Sequence, residues 1–201
     1  MLLPRWPKDF ESRLASHAGP EAEDPPSRRA AVAVIFRAAS SSDILLMRRA
    51  EHPGDPWSGQ ISLPGGRHEL EDPDLLATAA RETREEVGID LFETASTLCR
   101  LAPVRARARG TLMSMDVTPY VFRMDRSAQP EPGPEASEVF WFPLERVLAG
   151  ELDGEHSYRR DQVIRRLPCW DFEGRTIWGM TYFMLCDVLR AGGIEHPHFM
   201  P

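Results

Sequence analysis

Apolar positions along the chain fall into blocks whose period changes several times. The first block, PKDFESRLASH (residues 7–17), spaces Phe10, Leu14 and Ala15 like a short amphipathic helix. Residues 19–29, GPEAEDPPSRR, are rich in proline and acid and predict a linker. From Ala30 the pattern becomes AAVAVIFRA, a continuous β-branched run of the kind buried strands carry. DILLMRRA, from Asp43, predicts its partner, with serine-rich turn material between them. A loop rich in Gly and Pro, EHPGDPWSGQ, leads into a short strand, ISLP, which runs into Gly65-Gly66. A long loop then separates the glycine pair from the next element.

That element is a helix. Asp72 is expected to cap it, with Pro73 at its first position and Asp74 favouring its positive end. It runs to Val87 and stops at Gly88. Downstream, TLCRLAPVRARARGTLMSMDVTPYVFRM predicts two long strands around a turn near Gly110. SEVFWFPL predicts another strand and ERVLAG a short helix. RLPCWDFEGRTIWG predicts a hairpin around Glu173-Gly174, and MTYFMLCDVLRAG a closing helix ending at Gly192-Gly193. Strands on both sides of a central helix give the fold class α+β, a mixed sheet sandwiched between helices (α/β/α). The organisation read from these blocks is a helix and linker over residues 1–29, one domain over 30–195, and a tail over 196–201.

Composition narrows the function classes. The 201 residues suit one domain. No apolar run reaches the roughly 18 residues that span a bilayer. The start, MLLPRWPKDF, lacks the apolar core of a signal peptide, so a cytoplasmic location and no membrane partner are expected. The net charge of -7 argues against nucleic acid held by bulk attraction, yet allows a polyanionic substrate when divalent cations stand between. Cys99, Cys169 and Cys186 fit neither a disulfide framework nor a metal cluster, and are expected to be reduced and partly buried.

The chemistry lies in GGRHELEDPDLLATAARETREEVGI, residues 65–89. Glu82, Glu85 and Glu86, at i, i+3 and i+4, share one helix face. Like charges so close repel, and a cation among them turns that repulsion into a site; hard oxygen donors suit Mg²⁺ or Mn²⁺. The opposite face, Leu75, Leu76, Ala79, Ala80, Thr83 and Val87, is small and apolar, suited to close packing on a sheet. Arg81 is placed to pair with Glu85. Gly65 and Gly66 permit close backbone approach, and the bare Gly65 carbonyl is a further ligand candidate.

This segment resembles the signature of the Nudix hydrolases. Gly66 matches its first Gly, and Arg81, Glu82, Glu85, Glu86, Gly88 and Ile89 match its second half. The interval from Gly66 to Arg81 is one residue longer than the signature, Asp72 stands where a Glu is usual, and Thr83 where a larger apolar residue is usual. The resemblance implies the Nudix fold, metal ligands from Glu82, Glu86, Glu85 and the Gly65 carbonyl, and catalytic roles for Glu85, Glu82 and Arg81. Asp72 is either part of the site or simply the helix cap.

A narrower similarity reaches the coenzyme A pyrophosphatase branch. It rests on the same one-residue expansion, on TAARE (residues 78–82), on LLMRRA (45–50), Gly59 and LPGG (63–66), and on VTPYVF, EVFWFPL and IWGMTYFML. Met47 stands where Thr is usual, and Gly54 or a neighbour where an Arg is expected. Arg48, Arg49 and Arg67, with the Gly66 backbone, are therefore the expected substrate contacts, the alternative for each arginine being ordinary surface. Arg105, Arg107 and Arg109 share a strand face that is either a phosphate strip or solvent-exposed. Trp57, Tyr120 and Trp141 are either base-stacking or packing residues; Glu135 and Glu138 lie where family members supply a further acid. The resemblance implies hydrolysis of a pyrophosphate bond in a small nucleotide-type substrate, with homodimerisation left open. Three readings follow: coenzyme A or its thioesters as substrate; another nucleoside-diphosphate derivative such as ADP-ribose, a nucleotide sugar or a dinucleotide; or a non-catalytic nucleotide sensor.

Overall fold

The computed structural model describes residues 6–20, 28–37, 42–108, 111–160 and 163–194. Its centre is the parallel pair of β1 (Arg28–Phe36) and β7 (Thr111–Met124), joined in unbroken register from Arg28↔Met115 to Phe36↔Arg123. The strand begins at Arg28, inside the stretch expected as linker, because β7 extends far enough to pair with it. Hydrophobic runs on both strands suit a position buried on both faces.

The other edge of β1 is divided. Its first half pairs antiparallel with β4 (Gly65–Arg67), whereas its end meets β2 (Asp43–Arg49) only at Phe36↔Ile44. β2 in turn pairs with β3 (Ile61–Ser62) through Met47 and Arg48. The sheet therefore splits between β1 and β2, and residues 61–67 wedge into the split. The backbone N–H of Ala33 donates to the Pro64 carbonyl across it at 2.8 Å. Gly65 and Gly66, expected ahead of a loop, are thus strand residues at the fork of the sheet. The far edge of β2 carries β8 (Ala136–Pro143), which leads into the short helix α4 (Leu144–Leu148).

The segment expected as two long strands forms three: β5 (Ala95–Arg100), β6 (Val104–Ala108) and β7. Both β5 and β6 lie antiparallel along the long β7, and the break falls at Leu101-Ala102-Pro103. Pro103 has no N–H to give to the ladder. The turn expected near Gly110 lies outside the described residues.

One face of this mixed sheet carries α2 (Leu75–Val87). Its N-cap is Asp74, whose carboxylate accepts from the Ala77 N–H at 2.8 Å, and not Asp72 as expected; Pro73 precedes the cap. Gly88 closes the helix in the left-handed conformation, φ 71°, as anticipated. Ala79 and Ala80 pack on Ala31 and Ala33 of β1, so the helix lies close to the sheet. α3 (Leu91–Thr94), capped by Asp90, follows and was not expected, since its four residues are too few to show a period.

The other face is covered by α1 (Phe10–Ala15) and α5 (Gly179–Ala191). Phe10, Leu14, Phe36, Phe142, Trp170, Tyr182 and Val188 belong to one buried cluster there. A small antiparallel sheet lies beside it: β9 (Asp153–Arg160), β10 (Val163–Phe172) and β11 (Arg175–Trp178). The β10–β11 hairpin turns through Glu173 and Gly174, both at positive φ, as the two-residue loop requires. β9 was not anticipated: DGEHSYRR has no apolar alternation, and its order comes from pairing with β10. The architecture is α+β, a mixed sheet between helices. The three cysteines form no disulfide, as expected, and are buried more deeply than the partial burial expected of them. No helix among the described residues is long and apolar enough to cross a membrane.

The close α2–β1 contact gives a first prediction. Ala79→Leu, placed where Ala79 is fully buried, should overpack the contact and lower stability by about 1–3 kcal/mol. Urea unfolding with an unchanged slope measures it; a stability equal to that of the parent would show the contact to be loose.

Candidate functional site

α2 meets the fork of the sheet through its carboxylates. Glu86, in the last turn, is only 2% exposed. Its Oε2 accepts from the Gly65 N–H at 2.7 Å, and Arg49 Nη1 lies 3.7 Å from its Oε1. Burial pushes its pKa up to about 8, against the pull of the Gly65 N–H and Arg49; the charges of Glu82 and Glu135 push it further up. One turn earlier, Glu82 lies against the Gly66 backbone, where a β-carbon would overlap its carboxylate. Its side chain is 14% exposed, and burial raises its pKa despite Arg81 Nη1 at 3.1 Å. Gly65 itself adopts φ 147° and runs so close to Ala31 and Val32 that no side chain fits. The glycine pair is thus the floor on which two acids rest.

Glu85 is placed differently. Its side chain is 54% exposed and sits 3.2 Å from Arg81 Nη1, as the i, i+4 spacing suggests. Arg81 does more than that pairing. Its Nε and Nη2 grip Asp72 at 2.9 and 3.0 Å, and Nη2 also donates to the Arg67 carbonyl at 3.0 Å. Asp72 is buried and accepts in addition from Thr78 Oγ1 and the Glu69 N–H. The Arg81 guanidinium holds the Asp72 carboxyl well below the usual range. Asp72 therefore anchors the loop after β4 to the helix through Arg81.

The arginines divide by strand alternation. Arg49 faces α2, held by two bonds to Asp55 Oδ2 at 3.2 and 3.0 Å while it approaches Glu86. Arg48 faces the opposite layer, where its guanidinium donates to Glu138 and to the Gly59 carbonyl. Arg67 is exposed and enters the site through its carbonyl. Of the two acids outside α2, Glu135 is near enough to raise both Glu82 and Glu86. Glu138 is engaged by Arg175 and Arg48. Arg105 pairs with Asp116, the Arg107 carbonyl accepts from Trp57 Nε1, and Arg109 lies outside the described residues. Trp141 lies under Arg37, and Tyr120 packs against the buried cluster beneath α2.

Two excess negative charges under low-dielectric cover need a proton or a cation. Glu82 and Glu86 offer hard oxygens, the donor type that suits Mg²⁺ or Mn²⁺. Among the described residues no group of three His, Cys, Asp or Glu forms a ready metal cluster, and Glu85 is paired with Arg81.

A model of the NUDIX domain matches residues 26–167. The chain belongs to the NUDIX domain family. Relatives include "Uncharacterized Nudix hydrolase NudL" of Yersinia pestis (strain Pestoides F), 32% identical over 159 residues, covering 77% of this chain and 75% of that protein. The NudL protein of Yersinia pseudotuberculosis serotype O:1b (strain IP 31758) matches to the same extent. Among solved structures, a C. elegans Ap4A hydrolase binary complex is similar at TM-score 0.49 and 22% identity, over 60% of this chain and 83% of that one. The chain is a Nudix hydrolase.

Within the Nudix box, Asp72 is now explained: it occupies the Glu position and serves Arg81. Sequence reasoning missed Asp55, which sits in a loop with no period to mark it. It also missed Gly133, whose N–H donates to the Glu86 carbonyl at 2.8 Å and whose missing side chain leaves room for the end of α2. Asp72→Asn should destabilise the fold by about 1–3 kcal/mol, since a charged acceptor within a buried pair is lost. Because the folded carboxyl titrates below its unfolded value of 3.8, the deficit should be constant above about pH 5 and shrink as pH falls below 3.8. Denaturation across pH 3–8 measures it; a deficit that grows in acid would refute the assignment.

Proposed function

We propose that this Nudix hydrolase cleaves the pyrophosphate bond of a nucleoside-diphosphate derivative, with coenzyme A or its thioesters as substrate. The observation that carries the reading is the pair Glu82 and Glu86, seated on the Gly65-Gly66 backbone with Arg49 beside them. Transfer at phosphorus is mostly positioning and charge stabilisation. Glu82 and Glu86 would hold Mg²⁺ or Mn²⁺, with Glu85 and the Gly65 carbonyl as further donors. The metal, when bound, neutralises phosphate oxygens and acidifies a water.

The other roles fall to the chain itself. Arg49, already beside the acids, supplies a guanidinium to a phosphate oxygen. Gly66 lets the diphosphate approach the backbone. Glu85, the exposed acid, is free to swing from Arg81 and take the proton of the attacking water; Glu135 is the second group in range for that step. Arg81 positions the helix acids. Support for coenzyme A comes from the upstream run 45–66, which delivers Arg49 to Glu86, and from the expanded loop that Asp72 and Arg81 hold shut. The products would be 3′,5′-ADP and (acyl-)4′-phosphopantetheine.

Another nucleoside-diphosphate derivative is favoured by one feature: Gly54 or a neighbour stands where the coenzyme A branch is expected to carry an arginine, and a β-carbon at Gly54 would meet nothing. A panel of coenzyme A, acetyl-coenzyme A, ADP-ribose, a nucleotide sugar and a dinucleotide, with Mg²⁺ or Mn²⁺, separates the readings. Coenzyme A should show the highest kcat/KM; preference for ADP-ribose would overturn that substrate, and no turnover of any member would leave only a sensing role.

Glu86→Gln should lose about 10³-fold in kcat, the several kcal/mol of charge stabilisation a metal site supplies. It should fold normally and lose the rise in melting temperature that Mn²⁺ gives the parent protein. A variant that kept both activity and the Mn²⁺-induced rise would remove Glu86 from the metal site.

A further inference from the structure

β9 is the edge of the small sheet, whose order is β11-β10-β9. Its pairing with β10 runs without interruption from Asp153↔Trp170 to Arg160↔Val163. The outer side of such a strand presents backbone N–H and C=O groups that can accept another strand. Sheet edges are commonly protected by proline, lysine or a bulge, and β9 has none of these. Among the described residues no strand pairs with its outer side, and its charge is arranged by sign: Asp153 and Glu155 in the first half, Arg159 in the second.

We propose that β9 pairs antiparallel with β9 of a second copy of this chain, about a two-fold axis through Ser157. Strand alternation puts Glu155, Ser157 and Arg159 on one face and His156 and Tyr158 on the other. A two-fold axis through Ser157 sets Glu155 opposite Arg159 of the second copy, and Arg159 opposite its Glu155. On the other face His156 meets Tyr158 in both directions. Both rings are half-buried and already lean on Trp178, at 4.2 and 5.5 Å between centroids, so the aromatic surface continues across the junction. A slip by two residues one way puts His156 on His156 and Tyr158 on Gly154; a slip the other way sets Tyr158 on Tyr158 but Arg159 on Ser157, so the aromatic and charge pairs together select the register. Glu155 also takes Arg166 of its own chain at 3.3 Å, and would lie between two arginines in the dimer. The contact is isologous, so it closes at two copies.

The test uses the full-length chain. In sedimentation the parent should run at twice its 22.7 kDa mass. Glu155→Arg alone and Arg159→Glu alone should each run as monomers, since each sets like charges opposite one another. An equimolar mixture of the two variants should regain the dimer mass. In the mixed pair one chain carries arginine at both positions 155 and 159 and the other carries glutamate at both, so each contact is again complementary. Ser157→Cys should form a disulfide-linked dimer on mild oxidation: opposed residues of an antiparallel pair have Cα atoms about 4.5–5.5 Å apart, within disulfide reach. The three native cysteines are buried and give no background. Circular dichroism checks that each variant is folded. A monomeric parent overturns the proposal, as does a dimer indifferent to both charge reversals, a mixture that stays monomeric, or a folded Ser157→Cys chain that does not cross-link.

Discussion

The structure depends on burying the carboxylates of one helix against a strand that has almost no side chains. Taking ionised acids out of water is costly, and each must find donors or share its charge. Glu86 finds one N–H, that of Gly65, and a guanidinium held at some distance. That is too little for a full charge at such depth, and the raised pKa records the shortfall. The surrounding design follows from the need to bring these groups together. The sheet forks so that residues 61–67 can enter; alanines line both sides of the α2–β1 contact so the helix comes near; and Gly65 and Gly66 carry no β-carbons to keep the acids away.

Arg81 sorts the remaining acids. A guanidinium has five N–H donors in a fixed fork, and here they reach Asp72, Glu82, Glu85 and one carbonyl. The strong bidentate bond goes to Asp72, which lies off the helix and fixes the preceding loop. The weaker, longer contacts go to Glu82 and Glu85, which stay available for other partners. An arginine at this position thus rigidifies the loop without neutralising the site, a division that Lys, with a single point charge, would not reproduce.

Much of this was legible in the sequence, and the limits have physical causes. The i, i+3, i+4 spacing of Glu82, Glu85 and Glu86 established a shared helix face. Spacing does not give depth, so the contrast between buried Glu86 and exposed Glu85 emerged only with the sheet in place. Asp72 and Asp74 are both good N-caps by type. Asp74 won because Asp72 was claimed by Arg81, a tertiary bond no local rule foresees. Buried strands such as β1 announced themselves by continuous apolar runs. β9 did not, because a strand whose order is borrowed from its neighbour need not alternate.

Adjacent arginines with opposite fates show how far strand geometry shapes the site. Arg48 and Arg49 point to opposite faces, and β2 shifts register against β8 between them, where Arg48 pairs with Glu138 and Arg49 with Ala136. Arg48 joins Glu138 and Arg175 in tying the two sheets together. Arg49 reaches the acids and is braced by Asp55, so it also fixes the loop between β2 and β3. That loop is tied down further: the Trp57 N–H donates to Asp55, and the Trp57 ring N–H donates to the Arg107 carbonyl on β6. Residues 51–54 at the start of that loop are exposed, and a β-carbon at Gly54 would meet nothing. Gly54 itself sits at φ 92°, a conformation that favours glycine, so the space beside it is there because the turn needs a glycine. The bracing that brings Arg49 to Glu86 therefore lies in Asp55 and Trp57, apart from the exposed residues 51–54.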